Sequence, residues 1–248
     1  MGFRVAAMSS WRPLKIGAIA CAPVIVLGAL VALQPDWVVA TLAKRSPEVV
    51  YSVETRDPVV ALTIDDGPDP VVTPKILDVL RRHGAHATFF LLANRIPGNE
   101  GVVVRMVEEN HELANHLMAD EPSIRLAPSD FEHQLLESHD ALSKFAHVRW
   151  FRPGSGWYNA AMLSILHKHG YRCVLGSVYP FDPQLPSSWF AAHYVLWNVR
   201  PGSIIVLHDH GARGERTASA LATILPELNR RGFRVVTLSE LLEGGKGG

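Results

Sequence analysis

Two adjacent aspartates at the end of an apolar segment are the first candidate for chemistry in this sequence. Asp65 and Asp66 follow Val59-Val-Ala-Leu-Thr-Ile64 and precede the turn-forming residues Gly67 and Pro68. If the apolar segment is a strand, a bend after it can bring both carboxylates to one site, where one binds a metal while the other transfers protons. A surface turn is the alternative, because Asp, Gly and Pro are common in turns. The spacing alone leaves both interpretations open.

A histidine and an aspartate four residues apart form the second candidate. His111 and His116 are five residues apart. A helix would therefore turn them about 140° from each other, and they do not match the HExxH zinc-protease pattern. His116 and Asp120 would instead share a helical face, where an imidazole and a carboxylate suit a divalent cation. An ordinary surface ion pair is the alternative.

Two more polar residues directly follow predicted strands. Arg152 lies in Phe151-Arg-Pro-Gly-Ser155, where it can orient a carboxylate. His208 ends Ile205-Val-Leu-His208, where a β/α architecture places a general acid. A lone histidine at a strand end is usually structural. Four polar features that each follow a predicted strand are harder to explain as independent surface turns, so they favour one shared site.

The elements that must position these residues alternate along the chain. Apolar, β-branched or aromatic segments predict strands, and segments with helix-start and helix-stop residues lie between them. Such alternation is typical of a mostly parallel sheet covered by helices, either an open doubly wound sheet or a closed barrel. The predicted strands are 59–65, 87–92, 149–152, 171–175, 203–207 and 233–237.

The amino-terminal end differs in composition from the rest of the chain. Residues 16–33 carry no charged side chain and follow the basic residues Arg4, Arg12 and Lys15. This pattern predicts an uncleaved single-pass membrane anchor with the rest of the protein outside the cytoplasm. A cleaved secretory signal, which would leave a secreted protein, and a buried core helix are the alternatives. Residues 1–45 have a net charge of +4 and the remainder −4, which argues against nucleic acid as a partner.

The chain length of 248 residues fits one domain of ordinary size after this segment. We therefore expect one catalytic domain. We also expect a monomer, although nothing in the sequence determines the oligomeric state. The expected divisions are a cytoplasmic end (1–15), a membrane segment (16–33), a juxtamembrane linker (34–57), the catalytic domain (58–243) and a tail (244–248).

Four motifs in this order resemble the polysaccharide deacetylases, the NodB-homology or carbohydrate esterase family 4 proteins. Thr63-Ile-Asp-Asp-Gly-Pro68 is similar to the family's T-F-D-D-G-P, and Ala87-Thr-Phe-Phe90 to its ATFF. Gly202-Ser-Ile-Ile-Val-Leu-His-Asp209 is similar to its last motif, and Val235-Val-Thr-Leu-Ser-Glu-Leu241 to its closing segment. The resemblance implies a distorted (β/α) barrel, usually of seven strands. It also implies an enzyme that hydrolyses N- or O-acetyl groups on sugar polymers such as peptidoglycan or chitin-like chains, with a bound divalent metal.

The resemblance implies a catalytic role for each matching residue. Asp65 would be the general base, held by Arg152. His208 would be the general acid, tuned by Asp182. The segment Tyr179-Pro-Phe-Asp-Pro183 stands where the family commonly has D-x-x-D-W, so the tryptophan that walls the pocket is absent.

It also implies a metal centre and a substrate pocket. Asp66 and His116 would be metal ligands, and Asp120 stands where the family has its second metal histidine. The Ser155 amide would donate to the oxyanion in place of the family's tyrosine amide. Leu207 would help line the pocket for the acetyl methyl group.

The ligand set bears on the choice of metal. Two carboxylates and one imidazole nearly neutralise a doubly charged ion, which weakens its effect on a bound water. We expect zinc, with manganese, cobalt or magnesium as the alternatives, since harder ligands favour those ions. His210 is an alternative ligand in place of the missing histidine.

Two other functions stay open on the sequence alone. A decayed deacetylase scaffold that only binds glycan would explain the departures from the family pattern, although Asp65, Arg152 and His208 are all present. A glycosidase is disfavoured, because Asp65 and Asp66 are too close in sequence to flank a sugar bond.

Overall fold

Residues 36–244, which the computed structural model describes, form a curled parallel sheet with most helices packed against one face and the last helix against the other. The strands are β1 (Val49–Val50), β2 (Val59–Asp65), β3 (Thr88–Leu91), β4 (Glu112–Asn115), β5 (Trp150–Phe151), β6 (Arg172–Val174), β7 (Ile204–His208) and β8 (Arg234–Val236). The helices are α1 (Asp36–Arg45), α2 (Val72–Arg82), α3 (Glu100–Glu108), α4 (Pro128–Leu142), α5 (Ala160–Lys168), α6 (Ser188–Asn198), α7 (Gly211–Arg230) and α8 (Leu238–Gly244). Short 3₁₀ turns span Ala93–Arg95, Ser123–Arg125 and Gly154–Gly156.

The sheet forms an incomplete barrel. Its strands run in the order β1, β6, β5, β4, β3, β2, β7, and β8 pairs with the first half of β2. Two isolated bridges, Ser52 with Ser203 and Val178 with Ile205, connect the β1–β6 edge to β7. The expected family architecture is therefore confirmed as a curled half-barrel, with seven strands on one continuous path.

Alternate strand residues face two different hydrophobic clusters. In β2, Leu62 and Ile64 belong to the larger cluster, which also contains the helical residues Leu77 and Leu221. Ala61 belongs to the smaller cluster on the other face of the sheet. Both faces of β2 are thus covered, and all seven of its residues are buried. This double burial explains why the strands are nearly continuous apolar segments in the sequence.

The six predicted strands all exist, but two strands were not predicted. β1 lies within residues 34–57, the expected linker, and pairs with β6, so the sheet begins before residue 58. β4 and the irregular segment after it replace the helix considered for His116 and Asp120. That interpretation was wrong, because the pairing of β4 with β3 and β5 imposes an extended backbone there.

The predicted membrane segment lies outside the described residues. Residues 16–33, the predicted anchor or signal, do not belong to the described part of the chain. Within residues 36–244 no helix has both the length and the apolar character needed to span a bilayer.

Candidate active site

The candidate base and acid are neighbours on two adjacent strands. Asp65 ends β2 and is the register partner of His208, which ends β7. The preceding partners on the same face are Thr63 and Val206. Because side chains alternate along a strand, these residues all point to the inner face of the sheet. The structure therefore brings together two side chains that lie 143 residues apart in the sequence.

The same alternation removes Leu207 from the pocket. Leu207 pairs with Ile64, is fully buried, and belongs to the cluster that contains the helices. It therefore faces away from His208, and its expected contact with an acetyl methyl group is not supported. Val206 lies on the same face as His208.

Arg152 holds Asp65 through a dense set of contacts. Its Nη1 lies 2.6 Å from Asp65 Oδ1 and donates to Thr63 Oγ1 at 2.8 Å. Nε and Nη2 donate to the carbonyl oxygens of Val174 and Leu175 at 3.2 and 3.0 Å. The guanidinium also lies 4.1 Å from the centre of the Phe90 ring. With both side chains 4% exposed, the pair fixes the Asp65 carboxylate in place.

Asp182 holds His208 from the opposite side. Both Asp182 carboxylate oxygens lie 3.0 Å from His208 Nδ1, and one of them accepts the His208 backbone N–H at 3.1 Å. Burial alone would lower the pKa of His208, but Asp182, with smaller contributions from Asp65 and Asp66, raises it above its ordinary value. Because Asp182 occupies Nδ1, Nε2 is the nitrogen left to transfer a proton. This arrangement favours a protonated imidazole that can act as a general acid.

Asp66 faces a different partner from Asp65. Its backbone has φ 74°, in the left-handed region, so the chain turns sharply after β2. Asp66 Oδ1 lies 3.6 Å from His116 Nε2, and His116 Nδ1 lies 2.7 Å from the carbonyl oxygen of Arg152. A histidine that donates from one ring nitrogen to a carbonyl presents the other to a metal. The two adjacent carboxylates therefore serve two separate partners at one edge of the sheet.

These contacts also shift the pKa values of Asp66 and His116. Burial alone would raise the pKa of Asp66, but His116, His208 and Arg213 together lower it to about 2. Burial likewise opposes the charged form of His116, yet the hydrogen bond to Asp66 and the nearby Asp65 raise its pKa.

Asp120 does not join Asp66 and His116. Its side chain is 46% exposed, and its Oδ2 lies 3.1 Å from Nη2 of Arg213. Nη1 of the same guanidinium lies 3.0 Å from Asp66 Oδ2. Within residues 36–244 no group of three or more His, Cys, Asp or Glu side chains is placed to hold a metal ion. Two of the three expected ligands thus fit a cation, and the described structure does not form a three-residue centre.

The remaining predicted site residues lie near but outside this cluster. Ser155 lies in the 3₁₀ turn after β5, is exposed, and has φ 65°. The oxyanion role of its amide stays a prediction. His210, the alternative ligand, pairs with Asp69 at 3.1 Å rather than with Asp66.

Sequence reasoning missed two residues of the site. Tyr179 packs edge-on against the His208 ring with centroids 5.8 Å apart, and burial raises its pKa to about 12, so its hydroxyl stays neutral. Arg213 lies in the first turn of α7, where the helix dipole disfavours a cation. An arginine at that position, five residues after His208, was the available signal that a carboxylate partner lies nearby.

Comparisons with known proteins agree with the fold. The polysaccharide deacetylase family model matches residues 52–174. A peptidoglycan-N-acetylglucosamine deacetylase of Bacillus cereus is 36% identical over 197 residues, covering 78% of this chain and 92% of that protein. A chitooligosaccharide deacetylase of Sinorhizobium fredii is 36% identical over 199 residues, covering 75% of this chain and 93% of that protein.

Solved structures are also similar to the chain. The crystal structure of a peptidoglycan N-acetylglucosamine deacetylase has a TM-score of 0.74 and 31% identity, covering 78% of this chain and 92% of that one. A family 4 acetyl xylan esterase from Clostridium thermocellum, solved with a cobalt ion, has a TM-score of 0.68 and 30% identity, covering 75% and 90%. The chain therefore belongs to the polysaccharide deacetylase family, and the two curated relatives named above are deacetylases of peptidoglycan and of chitooligosaccharides.

Proposed function

We propose that this protein hydrolyses acetyl groups on an extracellular or cell-surface polysaccharide. The observation that carries the proposal is the cross-strand pair of Asp65 and His208, each held by its own buried partner of opposite charge, Arg152 and Asp182. A surface turn needs no such pairing. A proton acceptor beside a proton donor is what hydrolysis of an amide or ester requires.

The chemistry follows from these positions. Asp65 accepts a proton from a water molecule, whose oxygen attacks the acetyl carbonyl carbon. His208 donates its proton to the leaving nitrogen or oxygen as the bond to the acetyl carbon breaks. The products are acetate and a free amine or hydroxyl on the sugar, and Arg152 and Asp182 keep both groups in place throughout.

The substrate and the cation belong to the proposal. The relatives named above act on peptidoglycan and chitooligosaccharides, which favours N-acetylglucosamine polymers here. Asp66 and His116 are the proposed cation ligands, with zinc, manganese, cobalt and magnesium as candidates. We also propose a monomer, anchored through residues 16–33, with its active site outside the cytoplasm. A protease added to intact cells would then remove the domain, and an inaccessible domain would contradict this location.

Acetate release tests the activity. The full chain, assayed on N-acetylglucosamine oligomers, peptidoglycan and acetylated xylan with each of the four metals, should release acetate from at least one substrate. His208→Gln and Asp65→Asn should lose about 100-fold or more in turnover while keeping their circular dichroism spectra. His133→Gln, an exposed histidine on α4, is the matched control and should retain activity. Unchanged turnover in His208→Gln would contradict the acid assignment.

A non-catalytic glycan-binding protein is the second candidate. The pairing of Asp120 with Arg213 favours it, because the described residues do not complete a three-ligand metal centre. Such a protein would bind the same oligomers in a calorimeter without releasing acetate under any metal condition. Acetate release that depends on His208 would exclude it.

A further inference from the structure

The positively charged guanidinium of Arg213 lies where the family resemblance implies a metal centre. Its guanidinium joins Asp66 Oδ2 at 3.0 Å to Asp120 Oδ2 at 3.1 Å. Asp66 is 3% exposed, Arg213 is 29% exposed and Asp120 is 46% exposed. The bridge therefore runs from the buried end of the site to its open end.

The location of Arg213 makes an incidental contact a poor explanation. It is the third residue of α7, where the exposed N–H groups of a helix repel positive charge. The pairing thus overcomes an unfavourable position.

The two carboxylate oxygens of Asp66 face different partners. Oδ2 is bound by Arg213, whereas Oδ1 faces His116 Nε2 at 3.6 Å. A divalent cation can approach Oδ1 and Nε2 while Arg213 stays on Oδ2. The guanidinium holds Asp120 Oδ2. This oxygen would have to leave Arg213 before it could bind a cation.

Arg213 changes the net charge of the site when a divalent cation is bound. A doubly charged ion with Asp66, Asp120 and a neutral His116 leaves no net charge. Adding Arg213 restores one positive charge, the same as for an ion held by one carboxylate and two neutral histidines. The charges of Asp120 and Arg213 sum to zero, so the pair contributes the same net charge as one neutral histidine ligand.

We propose that Arg213 controls the affinity of this site for divalent cations. Its guanidinium occupies Asp66 and Asp120 when no ion is bound, repels an incoming ion, and cancels the extra negative charge that Asp120 brings. The inference rests on the cation site proposed above, but it concerns binding of the ion and makes no use of turnover.

Metal titration of four variants tests the proposal. The full chain, stripped with a chelator, is titrated with Zn²⁺ and with Mn²⁺ in a calorimeter at neutral pH. Arg213→Gln should bind both ions about tenfold more tightly or better, since repulsion and competition are both removed. Asp120→Asn should bind them at least about threefold more weakly, and the double variant should lie within about threefold of the wild type. Lys75→Gln on α2, which breaks the exposed pair with Glu215 of α7, is the charge-matched control and should change nothing.

Each result decides the proposal. Unchanged or weaker binding in Arg213→Gln would overturn it, because Arg213 would then be neutral toward the ion or would position Asp120 as a ligand. A double variant as tight as Arg213→Gln would overturn the pairing with Asp120. If Arg213→Gln fails to fold, Arg213→Met, which keeps the apolar length of the side chain, is titrated in its place, and unchanged or weaker binding there would refute the proposal. The metal titration uses the metal ion as its only probe. A negative result in the titration therefore does not affect the acetate-release test, and absence of acetate release does not affect the titration.

Discussion

Replacing Arg152 by methionine should destabilise the protein more than replacing its partner Asp65 by asparagine. Methionine keeps much of the apolar volume but removes the charge that pairs with Asp65, a carboxylate with 4% side-chain exposure. Breaking a buried ion pair from one side typically costs about 3–5 kcal/mol, because the remaining charge is left without a partner. The carbonyl oxygens of Val174 and Leu175 also lose their donor.

The cost should be asymmetric between the two partners. In Asp65→Asn, Arg152 keeps Thr63, Val174 and Leu175 as acceptors, and its guanidinium stays over the Phe90 ring. The asparagine also still offers an oxygen. We therefore expect Asp65→Asn to cost about 1–2 kcal/mol, comparable to one weakened charged hydrogen bond.

A double-mutant cycle measures this asymmetry. Urea unfolding of the chelated protein, followed by circular dichroism, gives the free energy of unfolding for both single variants and for Asp65→Asn with Arg152→Met. The double variant has no buried unpaired charge, so the pair should show a coupling energy of about 2 kcal/mol or more. A loss below about 1 kcal/mol in Arg152→Met, or a larger loss in Asp65→Asn, would refute the reasoning.

Three further predictions follow from individual contacts. Asp182→Asn should move the alkaline limb of the turnover–pH profile to lower pH, because the raised pKa of His208 depends on that carboxylate; an unmoved limb would exclude His208 as the acid. Burial raises the pKa of Asp209 from 3.8 to about 6, so the folded state holds a proton that the unfolded chain has lost. The unfolding free energy should fall by about 3 kcal/mol as pH rises through that window, and urea titrations of Asp209→Asn should lack this component. Gly154→Ala should cost about 1–3 kcal/mol in unfolding free energy, since its Cβ would lie 2.1 Å from the Glu121 carbonyl oxygen. The control Gly101→Ala, in open space on α3, should be neutral or stabilising in the same assay.

The sequence predicted the strands well because burial on both faces leaves a strong local signal. All seven residues of β2 are buried, and its predicted bounds match the structure. β4 was not predicted, because its four residues include Glu112 and Asn115, whose polar side chains are satisfied by tertiary hydrogen bonds. Such partners lie far away in sequence, so no local pattern reveals them.

The positions of site residues were predictable only where strand ends fixed them. Asp65, Arg152 and His208 each follow or end a strand, and the structure brings them together. Leu207 was misplaced because adjacent residues of a strand face opposite sides, and the motif match did not include that alternation. Trp189 and Trp197 of α6 are 62% and 65% exposed, because the helix packs through its other faces, which no local pattern shows.

The two halves of the site differ in how firmly the fold holds them, and this difference has a functional reason. Asp65 and His208 lie on paired strands, with side chains 4% and 12% exposed and partners that are buried. Proton transfer depends steeply on geometry, so the base and the acid need such rigid placement. Arg213 and Asp120 extend from the first turn of a helix and from an irregular segment, and both are substantially exposed. The proposed cation site, built on such elements, can exchange guanidinium contacts for a cation without disturbing the strands. The fold therefore permits the proposed cation site to vary while the proposed proton-transfer pair stays fixed.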